Sequence, residues 1–515
     1  MTGGLLNIIA YGNQNIILNG NPSKTFFKTV YSKYTNFGIQ KYRIDYTGNQ
    51  NLQSMQSSKF TFKIPRYAEL LLDTFLVITI PDIWSGYYNK ELKTNPYKFN
   101  WIKHLGCIMI ENVTLSSGGQ ILQQFSGEYI KNSMERNLSH SKKEHFYKMI
   151  GHEENLHSPQ DSYGRNGYYP NVIQTNSEPS IQGRKLFIPL PFWFSNSSKM
   201  AFPLTCLQYN ELVIDVVLRP IQHLFTINTN EDEHRKIKRV SPNFTLPNQQ
   251  LYNFIQQQTE VMDDSLIDWK TDVHLMSTYA FLSEEETKVF TSNEQLYLIK
   301  DVYQESFPNI IGSNRIKIKS NYLVSNWFWF LRRSDVKNRN EWSNYTNWEY
   351  YNRPNIKPYS YNKRLVGLPA MSTINNIKSI LVKTSFNIDG KFRENEFSSD
   401  VYNYIEKFTR CNGSSDDGLY TYSFSLNTDP YELQPSGAMN LNRFKDIYMD
   451  ILTIYPETNE NAQVKTICDN EGNIIGVIDV DPNAQYKYSY DLIFFEERFN
   501  IIKIMSGNVG LIYSR

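Results

Sequence analysis

The sequence predicts an all-β chain in which one β-domain is written twice, and three observations carry that expectation. Residues 209–218 (YNELVIDVVL) align without gaps on residues 444–453 (FKDIYMDILT): Glu211 falls on Asp446, Leu212 on Ile447, Ile214 on Met449, Asp215 on Asp450 and Val216 on Ile451. A second echo precedes it in each half. Residues 113–122 and 384–392 both read as strand, Gly turn and return strand, followed by the similar tails FSGEY (125–129) and FSSDV (397–401). Finally, no long amphipathic helix emerges, and many short strands spaced by turns argue for sandwiches or barrels.

Taken in order, residues 1–14 read as an arm and Asn19-Gly20-Asn21-Pro22 as a turn. Phe60, Phe62 and Ile64 alternate with Lys59, Thr61 and Lys63 until Pro65 stops them. Residues 70–80 make a strand apolar on both faces, which predicts a cover outside the sandwich as well as inside it. Residues 108–125 form the first hairpin, turning at Ser116-Ser117-Gly118-Gly119. Residues 128–150 suggest a short helix, and 151–183, rich in Gly, Asn, Ser and Pro, a long surface loop.

Residues 184–220 are the most informative stretch. Pro cannot donate to a ladder, so Pro189 and Pro191 mark an edge, bulge or bend. Beyond them Leu212, Ile214, Val216 and Leu218 point one way, and Val213, Asp215 and Val217 the other. Residues 221–264, with a charged run at 231–239 and a Gln-rich run at 249–258, read as a connection between domains, and 272–281 as the opening of the second half. There, 316–331 alternates and then turns aromatic (Trp327-Phe328-Trp329-Phe330), and 338–362 is a loop dense in Tyr, Trp and Asn. Ile380, Val382, Thr384, Phe386 and Ile388 lead into the Asp389-Gly390 turn, residues 433–437 bend, 464–478 form a hairpin, and 500–513 end on a Ser506-Gly507 turn.

Bulk properties exclude several classes. A chain of 515 residues is too long for one small core. Its 53 basic and 52 acidic residues leave a net charge of +1, without the basic excess expected of a protein that grips nucleic acid. No run approaches the ~18 apolar residues of a membrane helix. Cys107, Cys206, Cys411 and Cys468 lie far apart, which suits reduced thiols in a cytosolic setting better than a disulfide framework. Residues 5–10 are too short for a signal core, so synthesis and retention in the cytosol are expected. The 36 Tyr and 30 Phe suit both β-structure and protein interfaces.

The motifs of catalysis are missing: there is no GxSxG, GxxxxGK[ST] or GxGxxG. His140, His145, His152 and His157 lack HxH or HxxxH spacing and read as solvated loop residues, not metal ligands. Asp469, Glu471 and Asn473 alternate like a calcium loop but lack its later Glu. Glu211/Asp215 and Asp446/Asp450 each share a strand face, and the expectation is polar edges that meet a neighbouring strand or Lys, with no glycoside chemistry. Trp327 to Phe330 suit a core or subunit interface more than a stacking platform for bases or sugars. No catalytic residue, metal or cofactor is expected.

Several stretches resemble the major capsid proteins of large icosahedral DNA viruses of eukaryotes, of the algal-virus and giant-virus type. They are residues 3–37, IPLPFWF (188–194), PLTCLQYNEL (203–212), LQPSG (433–437) and IMSGNVGLIYS (504–514), in family order along nearly the whole chain. The resemblance implies two tandem eight-stranded jelly rolls with short helices in loops: an arm at 1–25, roll one at 26–220, a connecting segment at 221–264 and roll two at 265–515. It implies a homotrimer forming a pseudo-hexagonal capsomer, in an icosahedral shell around an internal membrane and DNA genome. The implied partners are its own copies, neighbouring capsomers and minor capsid proteins. The membrane would be adjacent but not spanned, sequence-specific nucleic-acid binding absent, and assembly cytoplasmic. The 221–264 and 332–370 segments look long for the family. A β-sandwich carbohydrate-binding protein is the main alternative and a sandwich hydrolase the other; neither predicts both the arm and the duplication.

Overall fold

The computed structural model describes residues 35–48, 51–85, 97–172, 178–228, 239–255, 269, 271–351, 377–456 and 488–513, with Gly4, Leu6, Ala10 and the backbone of 464–468 and 474–479. Eight strands build the sandwich of the first half: β1 Gly38–Asp45, β2 Ser58–Lys63, β3 Leu70–Ile80, β4 Ile110–Ser117, β5 Gln120–Phe125, β6 Arg184–Pro189, β7 Leu212–Leu218 and β8 Val273–Phe281. Eight more build that of the second: β9 Gln295–Ile310, β10 Ser313–Lys317, β11 Leu323–Arg333, β12 Leu381–Ile388, β13 Lys391–Ser398, β14 Leu419–Ser423, β15 Ile447–Thr453 and β16 Tyr490–Met505.

The first half pairs β1-β8-β3-β6 in one sheet and β2-β7-β4-β5 in the other; the second pairs β9-β16-β11-β14 and β10-β15-β12-β13. Adding eight to every label of the first pair gives the second. Two antiparallel four-stranded paths in this order make a jelly roll, so the chain is two jelly rolls in tandem. Smaller features repeat too. Phe202–Pro203 pairs with Leu70 and Leu71, and Met439–Asn440 pairs with Leu323 and Val324.

The two echoes found in the sequence occupy equivalent places. β7 and β15 share one alternating burial pattern, with Ile214, Val216, Met449 and Ile451 inside. The hairpins β4–β5 and β12–β13 turn on residues at positive φ, Gly118 (56°) and Gly119 (81°) in one, Asp389 (47°) and Gly390 (77°) in the other. Positive φ at both central residues is the tight hairpin turn that matches strand twist.

Three expectations need correction. β8 does not open the second half. It sits between β1 and β3, with Met276 opposite both Arg43 and Phe75, and so closes the first roll. A jelly roll's last strand returns beside its first, and that long-range pairing leaves no local mark. For the same reason 221–264 is not a link between domains. It is an excursion of roll one between β7 and β8, whose Phe225–Asn228 pairs with Lys98–Trp101 and Arg239–Val240, and whose Phe225 stacks on Phe99 at 4.5 Å. Finally, 151–183 is more than a surface loop: Leu156, His157, Tyr169 and Ile181 are buried, and Ile83 bridges to Ile181.

The helices are short and lie in the connections, with α1 Leu105–Met109 ahead of β4 and α4 Glu284–Ser292 joining the rolls. In place of one helix over 128–150 there are two, α2 Gly127–Asn137 and α3 His140–Ile150; α3 ends at Gly151, whose φ of 73° is a left-handed cap. Residues 401–410 form the matching helix after β13, a π turn Val401–Ile405 running into α5 Glu406–Arg410. The arm reading of 1–25 and the calcium-like run 469–473 fall outside the described residues, apart from Gly4, Leu6 and Ala10.

Roll two has its own aromatic core, in which Trp327 and Trp329 pack on Phe386 and Phe494. The core of roll one does not stop at its own sheets. It runs on into Phe328, Phe330 and Phe495, on the outer face of the second roll's sheet. Each such ring removed from water contributes about 1.5–3 kcal/mol.

Candidate functional site

The densest buried chemistry lies in the seam between the rolls, on α2. Ser126 caps the helix by accepting from the Tyr129 amide at 3.3 Å, and Glu128 sits in the first turn, where the helix dipole favours an acid. Gly127 permits the close approach of the helix. A Cβ there would lie 1.9 Å from the Cys107 carbonyl oxygen and 2.4 Å from that of Ile110. Every residue of α2 is buried, including Glu128, Lys131, Glu135 and Arg136.

Roll two supplies partners for Arg136 and Glu128. Arg136 donates to Glu497 Oε1 and to Asn326 Oδ1, each at 2.9 Å. Glu497 also accepts from Tyr129 at 3.0 Å and from Asn326 at 2.7 Å, and the Arg136 guanidinium lies 4.7 Å from the Phe328 ring centroid. Burial pushes the Glu497 carboxyl up, but Arg136, Lys300 and these hydrogen bonds more than offset it and hold it below the usual range. Arg332 donates to Glu128 at 2.6 Å, and Tyr345 to Asn132 at 3.1 Å. The loop expected over 338–362 is therefore partly interior: Tyr345 is buried beside α2.

Beside the seam stands a column of imidazoles. His104 stacks on His152 with centroids 3.7 Å apart, and His152 stacks on His157 at 5.2 Å. Of the four histidines weighed in the sequence, His140 and His145 are exposed as expected. His157 is buried and His152 partly buried, because Tyr147 of α3 packs edge-on against His152 and Tyr351 of the roll-two loop reaches the His157 carbonyl. His104 escaped notice, being far from the others in sequence. Burial, with Lys131, Lys103 and Arg239 adding to it, pushes these imidazoles below their usual range, His157 to about 3.

One grouping of potential metal ligands occurs among the described residues: His104, Glu135 and Asp416, with ligand atoms within 4.8 Å of one another. The positive charge there is already the Lys131 ammonium, 3.4 Å from Glu135 Oε2, while His104 Nε2 lies 3.1 Å from Glu135 Oε1. The cluster reads as a neutralised structural group.

The carboxylate pairs behave as the strand pattern predicts. Glu211 pairs with Lys63 at 2.9 Å and Asp446 with Lys317 at 2.7 Å, at equivalent places in the two rolls. Asp215 meets Lys59 at 3.0 Å, and Asp450 meets Arg315 at 2.6 Å. Trp327 and Trp329 lie in the core, and Phe328 and Phe330 in the seam, so none offers a face to a sugar or base. A cleft of about 570 Å³ between β5 and β9, lined by residues such as Ile121, Phe125, Tyr303 and Gln304, holds no acid, histidine or cysteine among its described lining. Two-carboxylate hydrolysis has no foothold there.

Comparison with known proteins agrees with this architecture. Residues 25–280 match the family described as major capsid protein N-terminus, and residues 286–510 match the large eukaryotic DNA virus major capsid protein. The first match ends within β8 and the second begins within α4. The chain is 22% identical over 592 residues to a major capsid protein of Phaeocystis pouchetii virus, and 21% identical over 539 residues to one of Paramecium bursaria Chlorella virus 1, with all of both chains covered each time. Among solved structures it superposes on the PBCV-1 virus capsid quasi-atomic model with a TM-score of 0.60 at 18% identity, covering 95% of this chain and all of that one. The Faustovirus major capsid protein gives 0.60 at 11% identity, covering 93% and 92%. Both share the double jelly roll.

Proposed function

The chain belongs to the major capsid proteins of large eukaryotic DNA viruses and is a structural protein of the virion shell, not an enzyme; from that premise we propose that it forms homotrimers, each a pseudo-hexagonal capsomer of an icosahedral shell. The observation that carries this is the eight-strand offset between the sheets of the two rolls. One subunit offers two like wedges, so three subunits approximate sixfold symmetry while the true symmetry stays cyclic. A sixfold outline tiles a flat face.

In this reading the shell surrounds an internal membrane and DNA genome, and assembly takes place in the host cytoplasm. The arm at residues 1–25 faces inward, toward minor capsid proteins and the adjacent membrane. No helix among the described residues is long and apolar enough to cross that membrane.

Light scattering on the purified protein tests the first step. The expected mass is three times the 60.4 kDa of one chain, holding on dilution to nanomolar concentration. Particle images should show a six-lobed outline. A stable monomer at micromolar concentration would overturn the proposal.

A further inference from the structure

The seam inside the chain shows how a helix of one roll is received by the sheet of the next, and each half of that contact has an uncovered counterpart. The tails FSGEY and FSSDV align without gaps, and carrying the alignment forward places Asn132 on Tyr404, Ser133 on Ile405 and Arg136 on Phe408. In roll one these three positions are buried in the seam. In roll two all three have become large apolar or aromatic residues, and all three are exposed: Tyr404 and Ile405 by 56%, Phe408 by 90%.

The receiving face has its counterpart too. Arg136 seats on Phe328, which pairs with Phe495 across β11 and β16. Phe328 lies five residues beyond Leu323, where the short strand Met439–Asn440 joins the sheet; Phe75 lies five beyond Leu70, where Phe202–Pro203 joins. Phe75 pairs with Met276 across β3 and β8, and both side chains are only partly buried. The edges repeat the pattern. Inside the chain, Gln123 of β5 donates to the Lys300 carbonyl of β9. The equivalent strands β13 and β1 are largely exposed, with Phe392, Phe397 and Ile39 at the surface.

We infer that residues 401–410 of one subunit dock, through Tyr404, Ile405 and Phe408, on the outer face of the first jelly roll of a second copy of this chain, at Ile39, Phe75 and Met276. The inference rests on the self-assembly reading and supplies its contact. A phenylalanine held almost wholly in water beside two other apolar side chains marks a surface meant to be covered. A second copy is the occupant because its first roll carries the same sheet order as the partner that covers α2. The contact is head to tail, and such contacts close into rings when their rotation permits. Where roll one seats a charged arginine that Glu497 must neutralise, roll two presents an uncharged ring, which can be buried without a counter-ion.

The test uses full-length protein. Phe408→Asp and, separately, Ile39→Asp are each expected to raise the concentration at which trimers dissociate by at least about 30-fold, the scale of an interface anchor worth about 2 kcal/mol. Tyr163→Asp, a control at an exposed loop residue elsewhere, is expected to change it less than about threefold. A second experiment does not depend on the charged variants folding. Chains carrying Phe408→Cys are co-expressed with chains carrying Phe75→Cys, so that they assemble together, and oxidised; a covalent pair containing one of each is expected, which neither variant forms alone. Trimers of Phe408→Asp with unchanged dissociation and no mixed covalent pair would overturn this contact and leave assembly standing. A wild-type monomer at micromolar concentration would overturn both.

Discussion

Arg136 and Glu497 form an ion pair at 2.9 Å across the seam, with side chains only 1% and 3% exposed. One comes from a helix of roll one and the other from the last long strand of roll two. Breaking such a pair leaves a charge buried alone. Arg136→Ala is expected to cost about 3–5 kcal/mol, read as a lower denaturant midpoint at fixed protein concentration. Arg136→Met combined with Glu497→Gln should lose at least about 1 kcal/mol less than the sum of the single changes.

The surface pairs should behave differently. Lys317 and Asp446 sit in the open, and water and salt screen their attraction. Lys317→Ala is expected to leave the melting temperature unchanged within error. A clear drop would show that the duplicated pair Lys63–Glu211 and Lys317–Asp446 does more than decorate equivalent strands.

Gly127→Ala would place a methyl group against two backbone carbonyls, neither of which can swing away as a side chain would. The expected loss exceeds about 3 kcal/mol and shows as a collapse in soluble yield. Gly119→Ala is the comparison. Its φ of 81° strains an alanine but nothing crowds the position, so a loss of about 1–2 kcal/mol is expected.

The imidazole column predicts acid sensitivity. His104, His152 and His157 are held neutral mainly by burial, so the folded chain binds fewer protons than the unfolded one below about pH 6.5. Stability present above that pH is therefore lost as pH falls toward the folded value, about 3 for His157. Each buried imidazole should contribute a slope of about 1.4 kcal/mol per pH unit once its unfolded form is protonated. Melting temperatures between pH 7.5 and 4.5 measure this, and His157→Gln should flatten the curve. Asp335, pushed up by burial but drawn down to about 2 by Arg333 and Arg339, acts in a separate window below about pH 4.

What the sequence revealed was local. β7, β15 and both glycine-turn hairpins could be read because period-two alternation and turn chemistry are written in adjacent residues. That Glu211, Asp215, Asp446 and Asp450 meet neighbouring strands followed from strand faces alone; that Asp450 takes an arginine, Arg315, did not. The place of β8 could not be read, because its partners β1 and β3 lie some 200 residues upstream. The seam was harder still. Glu128, Lys131, Glu135 and Arg136 look like a solvated helix face; their interior place rests on partners distant in sequence, Arg332 for Glu128, Glu497 for Arg136 and His104 for Glu135. One signal was present: Gly127 stands where the second tail has Ser399, and a glycine at the start of a helix can mark a backbone in the way.

The span between Arg136 and Glu497 also sets an order of events during synthesis. The two residues are 361 positions apart, so at about 5–20 residues per second a ribosome needs roughly 20–70 s to supply the carboxylate after the guanidinium has emerged. Through that interval the seam side of α2 and the aromatic margin of roll one have no lid. The nascent chain is a half-finished object with an oily, charged flank, and in a cell making many copies at once that flank is what folding helpers would have to shield.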